Sequence, residues 1–369
     1  MKCTFLHTIL VCLILFSCTN TKEQEYPEVD WSGKETNLSS SKEIIVPVNP
    51  LESEARYRLL DDEYLFLSHS FYQDLTLHAY HLQNDTLNYI GKITQKGDGP
   101  LEMPNMSYMH QRPNKSLILT SSGYNPKYFV LDDGDFSKAT SLNQWNVVKF
   151  PAKESGTMVT EVVPLNDSRI LVKLMGDVPY PFAYYNAGDS TLSYYPYPFP
   201  ETEKEMSNAQ KSMMCVGRIC KHPSKNKILN TYQGGTYACI LDVDGKNIKE
   251  VKHIYNIPPQ YVPDKDGANS HPKKSNKLGF SEIAVTEKYI YLKKYDFCLG
   301  DISKDDINNG YPLWFDNKIY VFDWEGNPVK KYNLDKYISS FVVDSNDKFI
   351  YAQTTNPTDG MCTLIKYEL

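Results

Sequence analysis

Six stretches of this 369-residue chain repeat one pattern, in which paired aliphatic or aromatic residues are followed by polar ones. They are EYLFLSHS (63–70), KSLILTSS (115–122), SRILVKLM (168–175), NKILNTYQ (226–233), KYIYLKKY (288–295) and KFIYAQTT (348–355). The matching positions Leu65, Leu117, Ile170, Ile228, Ile290 and Ile350 lie 52 to 62 residues apart, a period that suits a four-stranded unit with its loops. A polar turn precedes each stretch (LDDE, RPNK, LNDS, PSKN, VTEK, DSND), and another β-like run lies before the turn, as in MSYMHQ, MVTEVVP, MCVGRIC, EIAVT and SFVVD. Each repeat thus opens on a hairpin of strands a and b. A second hairpin, strands c and d, follows in five repeats: LHAYHLQNDTLNYIGKI, KYFVLDDGDFS, FAYYNAGDSTLSYYP, ACILDVDGKNIKEV and IYVFDWEGNPVKKYN. Asp244-Gly245 and Glu325-Gly326 suit tight reversals, because glycine takes a positive φ at little cost.

The sixth repeat stops at CTLIKYEL, in strand c, and would leave an unpaired sheet edge open to aggregation. The segment Glu43-IIVPV-Asn49 supplies a spare strand near the other end of the chain. Five complete blades, and a sixth made of three C-terminal strands and one N-terminal strand, predict an all-β fold: a six-bladed β-propeller closed by an N-terminal strand completing the last blade. Two β-sandwiches would also give many short strands, but they explain neither the sixfold recurrence nor the missing strand. Outside the N-terminus no window of a dozen residues holds a 3.6-residue period, so no helical architecture is expected.

Residues 1–17, MKCTFLHTILVCLILFS, carry Lys2, an apolar run from Ile9 to Phe16 and a small residue before Cys18. The run is too short for a transmembrane helix. Leu15-Phe16-Ser17-Cys18 resembles the bacterial lipoprotein signal, which implies cleavage before Cys18 and lipid attachment to it, enough for stable membrane anchoring. An ordinary secretory peptide with an incidental Cys is the alternative. The polar stretch after Cys18 lacks the aliphatics to order itself, and reads as a flexible tether over 18–41 ahead of a propeller over 42–369. Its Lys22-Glu23-Gln24-Glu25 cluster resembles the acidic signal that sends some Bacteroidetes lipoproteins to the cell surface. The implied location is the bacterial cell envelope, lipid-anchored at the outer membrane, on either its periplasmic or its surface face.

Loss of residues 1–17 removes one lysine, taking formal charge from −6 to −7, and an acidic body gives no electrostatic reason to bind nucleic acid. Beyond Cys18 the chain has Cys215, Cys220, Cys239, Cys298 and Cys362. An odd count, and roughly 16 Å between Cys215 and Cys220 if both lie in one extended strand, predict buried thiols instead of a disulfide framework.

GKITQKGDGPLEM, after the first repeat, and YVFDWEGNPVKKYNLDKYISSFVVDSNDKFIYA, spanning the fifth and sixth, resemble the TolB-like six-bladed propeller lipoproteins of Bacteroidetes. The resemblance covers roughly 43–369 and implies fold and location. It carries no activity to named residues, because the family has none assigned. GDGPLEMPN reads as the crossover between the first two blades, with Asp98 and Glu102 bonding loop amides.

In a propeller, a–b and c–d turns lie on one face and b–c and d–a connections on the other. The second set holds the long pieces, 198–213, 257–279 and 295–317, and long irregular loops in compact domains tend to be functional. That face is the expected ligand site. Phe71, Tyr72, Tyr124, Tyr180, Tyr232, Tyr295 and Trp314 are candidate ring contacts there, with His69 and Lys294 as polar ones, although packing between blades competes for each ring. No metal site or cofactor is expected. His78 and His81, three apart on a strand, point to opposite faces, and the Asp264 loop has Ser275 where a calcium loop needs Glu. The acidic loop of Asp296, Asp301, Asp305, Asp306 and Asp316 is the one segment with carboxylates enough for calcium. The chain has no G-x-S-x-G, H-E-x-x-H or Walker motif. The expected function is therefore a membrane-anchored, non-enzymatic binding or scaffolding module for a peptide, protein or glycan. The alternative is a propeller enzyme, a hydrolase or lyase acting on glycans.

Overall fold

The structure is a computed structural model, and it describes residues 28–46, 56–68, 77–94, 97, 99, 102–103, 107–111, 116–121, 123, 127–132, 145–148, 156–186, 191–201, 205–263, 270–295, 297–301, 316–355 and 362–369. Two short strands, β1 (Glu35–Leu38) and β2 (Lys42–Ile44), precede the blades. Blade 1 is β3 (Arg56–Leu60), β4 (Tyr64–Ser68), β5 (Leu77–Gln83) and β6 (Thr86–Thr94). Blade 2 is β7 (Ser107–Gln111), β8 (Leu117–Ser121), β9 (Tyr128–Leu131) and β10 (Asn146–Val148), and blade 3 is β11 (Met158–Pro164), β12 (Arg169–Met175), β13 (Phe182–Asn186) and β14 (Thr191–Tyr194). Helix α1 (Asn208–Met214) leads into blade 4, formed by β15 (Ile219–Lys221), β16 (Lys227–Thr231), β17 (Thr236–Asp244) and β18 (Asn247–Ile257). The hairpin β19 (Tyr261–Pro263) and β20 (Ser270–Pro272) separates it from blade 5, which is β21 (Phe280–Val285), β22 (Tyr289–Lys294), β23 (Asp316–Asp323) and β24 (Pro328–Ile338). Blade 6 holds β25 (Ser340–Val343), β26 (Phe349–Thr355) and β27 (Cys362–Glu368).

Strands β4, β8, β12, β16, β22 and β26 fall inside the six repeated stretches, and their apolar halves fill the space between blades. The hydrophobic core is six clusters, one at each interface between neighbouring blades. Inner strands meet around a ring: β7 with β11, β11 with β15, β15 with β21, β21 with β25, and β25 with β3. The chain is an all-β six-bladed propeller.

Closure follows the sequence expectation. β2 pairs antiparallel with β27, setting Lys42 opposite Lys366 and Ile44 opposite Leu364, so blade 6 gains its fourth strand from the N-terminal side. The chain then crosses to blade 1, where Ile45 N–H donates to Asp85 O at 3.1 Å and Leu87 N–H donates to Ile45 O at 2.9 Å. Asp85 receives Lys42 Nζ at 3.1 Å and Lys366 Nζ at 2.9 Å, tying both partners of the closure to blade 1. Ile44 is buried in the cluster between blades 6 and 1.

Three sequence expectations differ in detail. The span read as tether up to Ser41 is ordered from Glu28: β1 pairs parallel to β24, and the Trp31 ring packs at 5.4 Å on Tyr320 and 5.1 Å on Phe322. A large aromatic body that finds an apolar seat outweighs a polar neighbourhood in sequence. The strand that pairs with β9 in blade 2 is Asn146–Val148, whose β-branched pair Val147-Val148 suits a sheet edge; the DGDFS stretch expected there lies outside the described residues. The first part of MCVGRIC belongs to α1 and its C-cap, and Ser207 and Gln210 form the capping box at the helix start.

The second halves of the repeats form a buried polar tier. Ser68, Thr120, Lys173, Thr231, Lys293 and Gln353 stand three residues after the six matching apolar positions, and all are buried. Lys173 Nζ donates to Asn230 Oδ1 at 2.8 Å and Thr231 O at 3.1 Å, joining blade 3 to blade 4. Lys293 Nζ donates to Ser281 Oγ at 3.0 Å and to Ser339 O at 3.1 Å, next to blade 6. Gln353 accepts from Tyr57 of blade 1. In blades 3 and 5 the lysine faces a glutamate across the a–b pair, Glu161 opposite Lys173 and Glu282 opposite Lys293.

At the blade 1 to blade 2 crossover, Gly99 N–H donates to Glu102 Oε2 at 2.9 Å, the amide-bonding role expected of that carboxylate; Asp98 lies outside the described residues. The carboxylate occupies the space a Cβ on Gly97 would need. Cys215, Cys220, Cys239 and Cys362 are buried free thiols, and Cys298 is a partly exposed one.

Ile44→Ala is expected to cost about 3 kcal/mol, read as a lower urea midpoint, since it empties part of the interface that closes the ring. Burial pushes the Lys173 and Lys293 amines down to about 8. Between that value and roughly 10.4 the unfolded chain holds protons that the native state has released, so each lysine makes stability rise with pH, by up to about 1.4 kcal/mol per unit. Denaturation from pH 8 to 10 is expected to give a shallower rise for Lys173→Met than for the parent chain.

Candidate functional site

The residues expected at the loop-rich face divide three ways. Cys18, His69, Tyr72, Tyr124 and Trp314 lie outside the described residues. Tyr180 and Tyr295 are partly exposed in b–c connections, Tyr295 with Phe297 at 5.5 Å and Lys293 Nζ over its ring at 5.5 Å. Lys294 is partly buried and sets Nζ 5.8 Å from the Tyr255 ring and 5.4 Å from the Tyr320 ring, between blades 4 and 5. Tyr232 is 1% exposed, stacked on Tyr237 at 4.4 Å with Lys173 Nζ 4.9 Å from its ring. For Tyr232 packing between blades won the competition, because its ring closes the interface of blades 3 and 4.

The cavity lies on the propeller axis and opens at the other face, that of the short a–b turns. It has a volume of about 610 Å³, within the range of small-molecule sites. Every blade contributes the end of its inner strand or the turn that follows, including Arg58, His110, Val163, Lys221, Ile283 and Val342. Its lining mixes the edges of aliphatic residues, Leu60, Val163, Ile283, Val285, Val342 and Val343, with uncharged polar ones, Tyr57, Gln111, Thr286 and Ser345.

Polar groups cluster at depth. Arg58, on β3, lies deep in the molecule yet keeps partial access through the cavity. Burial lowers its pKa, and the charged groups near enough to act on it are Arg218 of blade 4 and Glu161 of blade 3. Blade 4 stands opposite blade 1 in a six-membered ring, so the guanidinium projects toward the axis. Among the described residues none accepts a hydrogen bond from it. His110 is 9% exposed, and its buried Nε2 has no hydrogen-bond partner among the described residues. Burial, then the charges of Arg58 and Arg218, hold this imidazole well below the ordinary histidine range, so it is neutral at pH 7. Beneath them Arg218 Nη1 donates to Glu282 Oε2 at 3.1 Å, joining blades 4 and 5.

The rim has a different character. Asp62 accepts from Ser345 N–H at 2.7 Å, Asp61 from Gln111 Nε2 at 3.1 Å, and Glu287 from Ser224 Oγ at 2.7 Å, so carboxylates there stitch neighbouring blades together. His222 is fully buried; its Nδ1 accepts from Ser224 N–H and Lys225 N–H, which places its proton on Nε2, and its ring lies 4.7 Å from Trp324. Lys221 donates to His222 O at 3.0 Å. Among the described residues no group of three or more His, Cys, Asp or Glu is arranged to hold a metal ion.

The chain matches the family described as TolB-like 6-blade propeller-like over residues 56–346. It belongs to that family. This TolB-like propeller is similar in structure to a member of the DUF4221 family from Bacteroides vulgatus, at 13% identity and a TM-score of 0.58, over 90% of this chain and 97% of that one. It is also similar to a Bacteroides fragilis protein classed as exported, at 12% identity and a TM-score of 0.54, over 91% and 99% of the two chains. At these identities the likeness is one of fold. No curated protein matches the chain.

Arg58 and His110 escaped the sequence reading. A single Arg in RYRLL and a single His in SYMHQ match no motif, and only the a–b register places them on the axis. Glu282→Leu is expected to destabilise the TolB-like propeller by about 3 kcal/mol in urea unfolding, because it removes the carboxylate that Arg218 donates to and that stands opposite Lys293 in the interior.

Proposed function

We propose that this TolB-like propeller is a lipid-anchored protein of the bacterial outer membrane that binds a ligand without transforming it. The observation that carries the binding reading is the axial cavity, whose mixed apolar and neutral polar lining holds an arginine and a histidine with hydrogen-bonding capacity unused by described residues. A folded chain gains nothing from a largely desolvated guanidinium that no described residue accepts, so its presence at the cavity favours a role outside folding. The anchor rests on Leu15-Phe16-Ser17-Cys18, and the similarity to a Bacteroides protein classed as exported supports the same compartment. The loop-rich mouth, where Tyr180 and Tyr295 are partly exposed, is a second surface for a peptide, protein or glycan partner.

The enzymatic alternative, a glycan hydrolase or lyase, would draw on Glu161 and Glu282 in the channel wall. Each stands opposite a cation of its own blade, Lys173 and Lys293, an arrangement that suits a charge-balanced wall. The test has two parts. Palmitate labelling is expected in the parent chain and absent in Cys18→Ala. Glycans, peptides and small metabolites are then screened for a rise in melting temperature and for product; a stabilising ligand recovered unchanged supports binding, and turnover of any of them overturns the non-enzymatic reading.

A further inference from the structure

Three properties of the axial cavity together define what it takes. The first is charge at depth. In and directly behind the inner wall, Arg58, Lys173, Arg218 and Lys293 stand against Glu161 and Glu282, four cations to two carboxylates among the described residues. Lys173 and Lys293 are committed to Asn230, Thr231, Ser281 and Ser339, and Arg218 to Glu282. Arg58 alone of the four has no acceptor among the described residues, and it faces the cavity. A guanidinium presents its N–H groups in a planar fork that matches a carboxylate with two parallel hydrogen bonds. His110, nine-tenths buried with an Nε2 that has no partner among the described residues, lies on the same cavity and adds one neutral polar contact beside it.

The second property is the wall. Leu60, Val163, Ile283, Val285, Val342 and Val343 line the cavity together with the uncharged Tyr57, Gln111, Thr286 and Ser345, so between Arg58 and the rim a ligand's body meets apolar surface and neutral polar groups but no charge. The third is the rim, where Asp61, Asp62 and Glu287 outnumber Lys221. Three carboxylates at the entrance oppose a ligand with a second negative charge, which disfavours phosphate esters and dicarboxylates.

We propose, on the binding reading above, that the axial cavity is a site for a monocarboxylate with an apolar body, of the size of an arylalkanoic or medium-chain acid. The carboxylate sits on Arg58 beside His110, and the body lies against the uncharged wall.

The experiment titrates the full chain by calorimetry with four probes: 4-phenylbutyrate, its neutral amide 4-phenylbutyramide, the dicarboxylate phenylsuccinate and phenyl phosphate. Phenylbutyrate is expected to bind saturably at one site, and the other three at least tenfold more weakly, the loss that follows from removing a charge-assisted pair or adding a repelled charge. Arg58→Gln is expected to weaken phenylbutyrate at least tenfold, to leave the amide unaffected, and not to lower the melting temperature, since it removes a buried charge that no described residue accepts. His110→Ala is expected to weaken phenylbutyrate severalfold. The amide comparison uses the parent chain, so it stands even where a variant folds poorly. Equal binding of acid and amide, unchanged phenylbutyrate affinity in a folded Arg58→Gln, or no saturable binding up to about 10 mM overturns the proposal. In that event, stabilisation by a different ligand in the wider screen leaves the binding reading standing, whereas an empty screen removes both.

Discussion

The pairing of β2 with β27 is the contact on which the ring depends. A propeller blade exposes one edge to solvent and both faces to its neighbours, and a blade of three strands would leave Leu364 and Ile365 without their outer partner. Taking that partner from the N-terminal side joins chain positions about 320 residues apart, and this costs loop entropy that grows only slowly with length. The N-terminal segment does more than fill the gap. Trp31 and β1 hold blade 5, β2 completes blade 6, and Ile45 binds blade 1, so one strap spans three consecutive blades. Lys42, Asp85 and Lys366 lock its last step with charge.

The interior answers a second constraint. Six apolar interfaces pack the blades, but a ring of inner strands leaves an axis that side chains must fill or line. The buried polar tier meets it by using lysine, glutamine and hydroxyl groups to satisfy backbone carbonyls and side chains where blades meet, as Lys173 does at Thr231 and Lys293 at Ser339. Buried charges are tolerated there because each has partners: Glu161 opposite Lys173, and Glu282 between Arg218 and Lys293. Arg58 departs from this economy, and the proposed binding reading rests on that departure.

The blade pattern was legible because apolar pairs at strand period two, followed by polar residues, must face neighbouring blades, and that alternation survives in sequence at all six repeats. The missing strand was legible too, since β-rich segments pair off and one end lacked its partner. The capping box of Ser207 and Gln210 was readable but outweighed by the β-like run after it. Trp31 was not readable as ordered, because its polar neighbours gave no hint of the Tyr320 and Phe322 rings that seat it. Tyr232 had two readings in sequence, and its burial against Tyr237 chose packing.

By itself the sequence determined the number of blades and the ring closure, because each is written in local periodicity or in the order of elements along the chain. Only the tertiary structure decided where the cavity opens and what lines it. The long loops drew attention to one face, while the described cavity opens at the other, among the short a–b turns. Arg58 and His110 come from different blades, more than fifty residues apart, and each alone is an unremarked polar residue in a strand. They share a cavity because inner strands converge on one axis, a convergence that exists only once all six blades are in place.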